Sequence, residues 1–177
     1  MQVNESNLQS NLAESEQNVV LCMKWGTKYG ADYVNRLYNM VKRHTTIDFK
    51  MVCLTDRTEG IDPAVQCFPI PSLALPEGSP ERGWNKLSTF EPDLYGLKGN
   101  LLFLDLDVVI VDNIDDFFTY PGDFLIIHDW KRPWRVTGNS SVYRFKLGSF
   151  PEILPYFREN FDEISHKFRN EQEYLSW

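Results

Sequence analysis

The sequence predicts an α/β fold in which a mixed, mainly parallel sheet is flanked by helices. Two observations lead to this prediction. Short apolar runs rich in β-branched residues alternate with amphipathic segments and with loops that contain Gly and Pro. The chain also opens with the order strand, glycine-containing turn, helix and strand, which is typical of the start of a parallel sheet.

The first elements follow directly from the pattern. Residues 18–23 (NVVLCM) form an apolar run that predicts a strand, and Gly26 and Gly30 interrupt the chain after it. Apolar residues at helical spacing then predict a helix over residues 31–44, and a second strand is predicted over residues 49–54.

The second half of the chain continues the alternation. The predicted elements are a strand over 65–70, a helix over 86–94, a long apolar stretch over 101–111, a short helix over 113–120, strands over 124–127 and 141–145, and a helix over 152–164. We predict one domain over residues 18–177, because this length suits a single hydrophobic core. Residues 1–17 contain no aromatic and no basic residue, and they are predicted to be a flexible polar tail.

The composition excludes several classes of protein. Lys and Arg number 18 against 25 Asp and Glu, and the net charge of −7 argues against nucleic-acid binding and against a polybasic membrane anchor. No run of 18 apolar residues is present, so we predict no transmembrane segment. Cys22, Cys53 and Cys67 form no disulfide framework, and the first two are interpreted as core residues. A reducing, cytoplasmic setting is expected.

Asp105 and Asp107 are the strongest chemical signal in the sequence. They interrupt the stretch 101–111 (LLFLDLDVVIV), in which the other nine residues are apolar. In a continuous strand, residues two apart share one face, so the two carboxylates would lie close together and resist burial. A hard divalent cation such as Mg²⁺ or Mn²⁺ resolves this conflict. The alternative interpretation is a pair of aspartates bonded to neighbouring backbone or to an Arg.

The run Leu101 to Asp107 resembles the DxD strand of glycosyltransferases of the GT-A fold. The closest likeness is to glycosyltransferase family 8, which includes glycogenin and bacterial galactosyltransferases. Further segments match that family in order along the chain, and the likeness covers residues 18–177. They are residues 25–30 (WGTKYG), 84–87 (WNKL), 138–142 (GNSSV) and 171–175 (EQEYL).

This resemblance implies an enzyme that moves a sugar from a nucleotide diphosphate sugar, by likeness a UDP-sugar, to a glycan or another hydroxyl acceptor. It implies a hexosyltransferase that retains anomeric configuration. Asp105 and Asp107 would hold Mn²⁺ or Mg²⁺. The remaining roles implied are base stacking or contact for Trp25, Gly26 and Tyr29, phosphate binding for Lys86, sugar binding for Asn139 and Ser140, and the catalytic positions for Gln172 and Glu171.

Two departures from the family pattern leave alternatives open. The family's usual third metal ligand is a histidine in a C-terminal HxxGxxKPW-like motif, and nothing like it occurs here, which indicates either a truncated chain or a minimal enzyme. The family's Asn-Ala-Gly segment is Asn139-Ser140-Ser141, which puts the donor sugar in doubt. A non-catalytic module that binds a nucleotide or sugar is one alternative. A phosphatase of the haloacid dehalogenase type, using Asp105 and Asp107, is another.

One further region is a candidate for substrate contact. Asp129 follows the predicted strand over 124–127, at a strand end where it is a candidate to face the substrate. The next residues, 130–135 (WKRPWR), are basic and aromatic inside an acidic protein. Aromatic rings stack on sugar faces and cations meet phosphates, so this segment is interpreted as an acceptor-side loop or as a solvated surface loop.

Overall fold

A computed structural model describes residues 17–79 and 83–177 of this chain. The elements are β1 (Asn18–Lys24), α1 (Ala31–His44), β2 (Lys50–Thr55), β3 (Gln66–Phe68), a 3₁₀ helix (Trp84–Phe90), β4 (Asn100–Leu104), α2 (Asp116–Thr119), β5 (Phe124–His128), β6 (Gly138–Lys146), α3 (Ile153–Glu159), α4 (Phe161–Lys167) and α5 (Glu171–Leu175). The predicted α/β class is confirmed.

The six strands form one mixed sheet in the order β3-β2-β1-β4-β6-β5. Strands β3, β2, β1 and β4 are parallel to one another, whereas β6 is antiparallel to both β4 and β5. The chain leaves β1 toward β2 and β3 on one side and later returns to place β4 on the other side. The carboxyl ends of β1 and β4 therefore flank the point at which the strand order reverses.

Alternate residues along the central strands enter two separate cores, one on each face of the sheet. Leu21 and Phe103 face the core that is covered by the 3₁₀ helix, α3, α4 and α5. Val20 and Leu102 face the opposite core, which is covered by α1 and α2. Both faces of β1 and β4 are buried, which explains their nearly continuous apolar sequences. Cys22 and Cys53 lie in the second core, as predicted.

Several predicted elements are confirmed with small changes of boundary. The predicted helix over 31–44 is observed with the same bounds as α1. The predicted strands over 18–23 and 49–54 are β1 and β2, each of which extends one residue further toward its carboxyl end. The strand predicted over 141–145 is longer at both ends, as β6.

The segment predicted as a helix over 86–94 is instead the 3₁₀ helix Trp84–Phe90. The hydroxyls of Ser88 and Thr89 donate to carbonyls three residues back, at 2.7 and 2.8 Å, and such local bonds compete with the α-helical pattern. Pro92 lacks an N–H group and disfavours helical backbone at Glu91, so the helix cannot continue to residue 94.

The long apolar stretch over 101–111 is not a continuous strand. β4 ends at Leu104, and the residues that follow form a turn in which the Val108 amide donates to the Asp105 carbonyl at 3.2 Å. The expectation that Asp105 and Asp107 share one face of a strand is therefore wrong. The Asp105 amide donates to the Ser141 carbonyl of β6 at 2.9 Å, which fixes the first residue of this turn.

The predicted helix over 152–164 consists of two short helices, α3 and α4. They meet at Asn160, whose backbone lies outside the helical region at φ −115° and ψ 21°. The Asn160 side chain donates to the Tyr156 carbonyl at 2.9 Å, which ends α3 with a polar partner.

The prediction of a flexible tail over residues 1–17 falls almost wholly outside the described residues. Nothing in the structure tests the division into a tail and one domain, which stays a prediction. Within residues 17–79 and 83–177, no helix combines the length and apolar character needed to cross a bilayer.

Two valines provide a test of this two-core architecture. Val52 is fully buried in β2, whereas Val111 is 82% exposed. We expect Val52→Ala to lower the free energy of unfolding by about 2–3 kcal/mol, because burial of the lost carbons and the resulting cavity both contribute. Val111→Ala is the matched control and should change stability by less than about 0.5 kcal/mol. Urea unfolding followed by circular dichroism measures both, and equal effects would contradict this packing.

Candidate functional site

A cavity of about 510 Å³ opens at the carboxyl ends of β1 and β4. This is the position at which open α/β sheets bind ligands, because the loops after the two strands diverge there. The cavity is lined by Met23, Trp25, Gly26, Thr27, Lys28, Tyr29, Lys86, Asp105, Leu106 and Asp107. Six of the residues predicted to bind the donor or a metal, including both aspartates, therefore line the same cavity.

Lys86 is the centre of the buried half of this site. Its ammonium group contacts both carboxylate oxygens of Asp105, at 2.8 and 2.9 Å, and lies 3.4 Å from Oε1 of Glu171. It also donates to the Ser140 carbonyl at 3.3 Å. Lys86 and Glu171 are almost fully buried, at 9% and 5% exposure. One cation thus joins the 3₁₀ helix, the turn after β4, β6 and α5.

The polar network continues from Lys86 to the predicted catalytic positions. The Ser140 hydroxyl donates to Glu171 Oε1 at 2.7 Å, and the Ser140 amide donates to Gln172 Oε1 at 3.2 Å. Gly83 makes room for this arrangement. A Cβ at Gly83 would lie 2.3 Å from Glu171 Oε2, and its φ of +76° also favours glycine. The structure therefore places Glu171 and Gln172 against Ser140. None of these three residues lines the 510 Å³ cavity, and their catalytic and sugar-binding roles stay predictions.

The exposed rim of the cavity is formed by the loop after β1. The Tyr29 hydroxyl donates to Asp107 Oδ2 at 2.8 Å, and the Tyr29 ring lies 4.7 Å from that of Tyr33. The Lys28 ammonium lies over the Tyr29 ring at 4.7 Å. Contact with Tyr29, and then the negative fields of Asp107 and Asp105, raise the pKa of Lys28 above its ordinary value. Lys28 therefore stays charged at neutral pH beside the two carboxylates.

Asp56 fixes the start of this rim loop and was missed by the sequence analysis. Its Oδ2 accepts from the Gly26 amide at 3.0 Å, and its Oδ1 lies 3.9 Å from the Lys24 ammonium. The signal was present, because Asp56 directly follows β2 and β2 is the parallel neighbour of β1. The carboxyl ends of parallel neighbours lie at the same edge of a sheet, so the side chain had to approach the loop after β1.

Two predicted substrate contacts are held elsewhere by local bonds. Asn139 Oδ1 accepts from the Ser141 amide at 2.9 Å, within its own segment of β6. Asp129 is 4% exposed, and its carboxylate accepts from the Lys131 amide at 3.1 Å. Neither residue lines the 510 Å³ cavity. Asp129 therefore shapes the loop that follows β5, and its contact with substrate stays a prediction.

Buried aromatic side chains pack against Lys86, whose ammonium lies over the Phe103 ring at 5.3 Å. The hydroxyls of Tyr143 and Thr89 lie 3.0 Å apart, and the Tyr143 ring stacks 4.7 Å from Phe103. Burial raises the pKa of Tyr143 well above its ordinary value, and the carboxylates of Asp105 and Glu171 act in the same direction. Tyr143 therefore remains a neutral phenol over the whole physiological range and supports the Lys86 network from below.

The aspartates supply a donor set of the right chemistry for Mg²⁺ or Mn²⁺, since both ions favour carboxylate oxygens. Asp107 is exposed, and Asp105 is partly exposed on the same turn. In the described part of the chain, no group of three or more His, Cys, Asp or Glu residues is placed to hold a metal. A cation bound by these aspartates would complete its shell with oxygens of water or substrate.

A larger groove of about 700 Å³ runs along α1 and shares Leu106 and Asp107 with the site. It is lined mainly by the side of α1, including Arg36 and Arg43, and it lacks the buried ion-pair network. We assign the functional site to the smaller cavity, because it lies at the strand-order reversal and contains both aspartates and Lys86.

Comparison with known proteins agrees with the fold at low sequence identity. No protein-family model and no curated protein sequence matches this chain. A solved structure that is similar is the apo form of the glycosyltransferase GlyE of Streptococcus pneumoniae TIGR4, with a TM-score of 0.55 and 13% sequence identity. The match covers 89% of this chain and 40% of the GlyE chain. This chain therefore has an α/β fold of the glycosyltransferase GT-A type. It spans less than half the length of the structure it resembles.

The Lys86–Glu171 pair can be tested through the stability of the protein. We expect Lys86→Met to lower the free energy of unfolding by about 3–5 kcal/mol, because it leaves two neighbouring carboxylates without their cation. Lys86→Met/Glu171→Gln should recover part of that loss, since the deeper carboxylate is then neutral. Chemical unfolding of the two single variants and the double variant gives the coupling energy. Additive effects would show that the two side chains do not interact.

Proposed function

We propose that this chain binds a nucleotide diphosphate sugar with a divalent metal and transfers the sugar to a hydroxyl acceptor. The observation that carries the proposal is the pair of aspartates beside Lys86, in a cavity at the strand-order reversal of a glycosyltransferase-type sheet. A fold by itself does not define a reaction, whereas the chemistry of these side chains does favour one.

The rim loop suits the nucleotide. Tyr29 and Trp25 offer aromatic surface on the cavity wall, and Gly26 permits close approach of the backbone with its φ of +63°. The positive charge of Lys28 lies on the same wall. A base stacked on Tyr29 would place its ribose and phosphates toward the turn that carries Asp107, which bonds to Tyr29. By family resemblance the base is uracil.

The diphosphate end is assigned to the two aspartates and Lys86. Asp105 and Asp107 would hold Mn²⁺ or Mg²⁺, which supplies positive charge for the diphosphate leaving group when bound. Asp105 and Glu171 already hold the Lys86 ammonium at this point, so its charge is in place before a ligand binds. The Lys86 ammonium would stabilise the negative charge that develops as the sugar–phosphate bond breaks.

The sugar end is assigned to the residues on the far side of Lys86. Ser140, Asn139 and Glu171 would bond sugar hydroxyls, and Gln172 would lie beside the reacting carbon. The support for Ser140, Glu171 and Gln172 is the network in which Ser140 bonds to both of the other two side chains. The role of Asn139, whose side-chain oxygen bonds within β6, is inferred from the family resemblance alone. Retention of configuration, a hexose donor and a glycan acceptor are inferred from the family resemblance. A cytoplasmic location also stays a prediction.

A binding module without transferase activity is the second candidate. It is favoured by the lack of a third protein ligand beside Asp105 and Asp107 in the described residues. Both oxygens of Asp105 also contact Lys86, so a metal would have to share that carboxylate. Nothing observed favours the phosphatase alternative, and the likeness to a glycosyltransferase structure argues against it.

Calorimetric titration of UDP and of GDP tests the donor site. We expect one nucleotide to bind in the presence of Mn²⁺ and to bind at least about tenfold more weakly in EDTA. Asp107→Asn keeps the shape of the side chain and removes its charge, and it should abolish the advantage of Mn²⁺. Asp112→Asn is the matched control, because Asp112 is an exposed carboxylate that does not line the cavity.

Two results would contradict the proposal in different ways. Failure of the folded protein to bind either nucleotide would exclude the donor site. Metal-dependent binding with neither transfer nor slow hydrolysis of any nucleotide sugar would instead favour the binding module. The site would then bind its ligand but would not catalyse a reaction.

Variants of Tyr29 distinguish stacking on the base from the hydrogen bond to Asp107. If the ring stacks on the base, Tyr29→Ala should weaken nucleotide binding by about tenfold or more, because a stacked aromatic contributes about 1–3 kcal/mol. Tyr29→Phe keeps the ring and loses only the hydrogen bond to Asp107, so most of the affinity should remain. Titration of the preferred nucleotide in Mn²⁺ compares the variants. Equal loss in both would assign Tyr29 to the support of Asp107.

A further inference from the structure

The loop between β5 and β6 projects apolar and basic side chains into solvent. Trp130 is 69% exposed, Trp134 is 76% exposed and Val136 is 99% exposed. Within residues 130–137 the cations are Lys131, Arg132 and Arg135, and there is no acidic residue. Solvent exposure of two indole rings and a valine is unfavourable for a loop that meets only water.

A second segment continues this surface. A cavity of about 300 Å³ is lined on one side by Arg132, Arg135 and Val136 of the loop, and on the other by Lys167, Phe168 and Trp177. Trp177 is 68% exposed, and the Lys167 ammonium lies over its ring at 4.0 Å. We name residues 130–137 together with Lys167, Phe168, Arg169 and Trp177 the basic aromatic face.

The charge of this face is opposite to that of the chain. Its five cations are Lys131, Arg132, Arg135, Lys167 and Arg169, whereas the whole chain carries −7. The acidic side chain in contact with them is Glu173, which accepts from Arg132 at 3.0 Å and from Arg169 Nε at 2.7 Å. The Asp129 carboxylate, which accepts from the Lys131 amide at 3.1 Å, adjoins the loop as well. These two carboxylates do not neutralise five cations, so the face carries a net positive charge although the protein is acidic. The net charge of −7, which argued against a polybasic membrane anchor, does not reveal this local concentration of cations.

We propose that the basic aromatic face docks this protein on an anionic membrane surface. Tryptophan rings partition into the headgroup region of a bilayer, and lysine and arginine are attracted to its negative surface potential. This combination explains both the exposed apolar groups and the local charge. An anionic glycan is a poorer match, since the face offers few carboxylate or amide acceptors for sugar hydroxyls and Val136 adds aliphatic surface.

The face lies next to the candidate site rather than at a remote edge. Glu173, which holds Arg132 and Arg169, is one residue from Gln172 in α5, and Gly138 at the end of the loop donates to the Ser176 hydroxyl at 2.9 Å. Docking by this face would therefore bring the sugar end of the site close to the membrane plane. If the proposed function holds, the acceptor is then a hydroxyl carried at that surface, and this last step rests on that function.

Vesicle co-sedimentation of the full chain, without nucleotide or metal, tests the docking surface. We expect binding to vesicles of equimolar phosphatidylglycerol and phosphatidylcholine and much weaker binding to pure phosphatidylcholine. Lys131→Ala/Arg135→Ala should weaken partitioning by about thirtyfold, the effect of two cations near an anionic leaflet. Lys42→Ala/Arg43→Ala removes the same charge from exposed positions of α1 and should leave partitioning unchanged.

The apolar contribution is tested separately. Trp130→Ala/Trp134→Ala should weaken binding to the same vesicles, and the loss should persist in high salt, where the electrostatic contribution is screened. Tyr120→Ala, which removes a 64% exposed ring outside the face, is the control and should bind as the wild type does. A blue shift of tryptophan fluorescence on addition of vesicles should be present in the wild type and reduced in the double tryptophan variant.

Three outcomes would overturn the proposal. They are no binding to anionic vesicles at low salt, equal loss in the loop variant and the α1 variant, and binding to a soluble polyanion such as heparin but not to vesicles. Circular dichroism and metal-dependent UDP titration of the same variants report the fold and the donor site. Loss of vesicle binding with nucleotide binding intact would assign the effect to the face and not to the proposed function.

Discussion

The buried ion pair between Lys86 and Asp105 is the interaction on which the site depends. A charged lysine that is 9% exposed is stable because Asp105, Glu171 and the Ser140 carbonyl contact its ammonium group. Those partners come from three different elements, so one side chain holds the turn after β4, the start of β6 and α5 in register. The hydrophobic cores could tolerate many arrangements of these loops. The polar network selects one of them, because any other would leave a charge buried without a partner.

The same constraint explains why β4 stops where it does. The apolar stretch after Leu101 has the composition of a longer strand, and β4 could continue beside β1 on the evidence of hydrophobicity alone. Asp105 instead turns to Lys86, and its amide bonds to Ser141 of β6. The strand is therefore ended by a charge pairing, and Asp107 is carried past the edge of the sheet to Tyr29. Because β4 ends at Leu104, both carboxylates lie in the turn after it and line the cavity.

The sequence predicted the elements that hydrophobic periodicity reveals, and it failed where side-chain bonds to the backbone or a tertiary contact decide. Helix α1 was predicted with its observed bounds because apolar positions, glycine and a basic last turn agree. The 3₁₀ helix around Lys86 was predicted as an ordinary helix, because the spacing of Leu87 and Phe90 does not reveal hydroxyl-to-carbonyl bonds or the role of Pro92. At the site, the residue types pointed to Asp105 and Asp107. The partnership of Lys86 with Glu171 joins residues 85 positions apart, which no local pattern contains.

The arrangement of charge around the cavity has a direction. Lys86 and Asp105 form its inner side, where the buried network holds them, whereas Lys28, Tyr29 and the exposed Asp107 form its rim. An inner side held by ion pairs suits groups that must be positioned accurately, and an open rim suits a ligand that enters from solvent. A diphosphate sugar has both needs, because its base can be bound loosely while its reacting bond cannot. Under the proposed function, the inner side of the cavity would meet the reacting bond and the rim would meet the base.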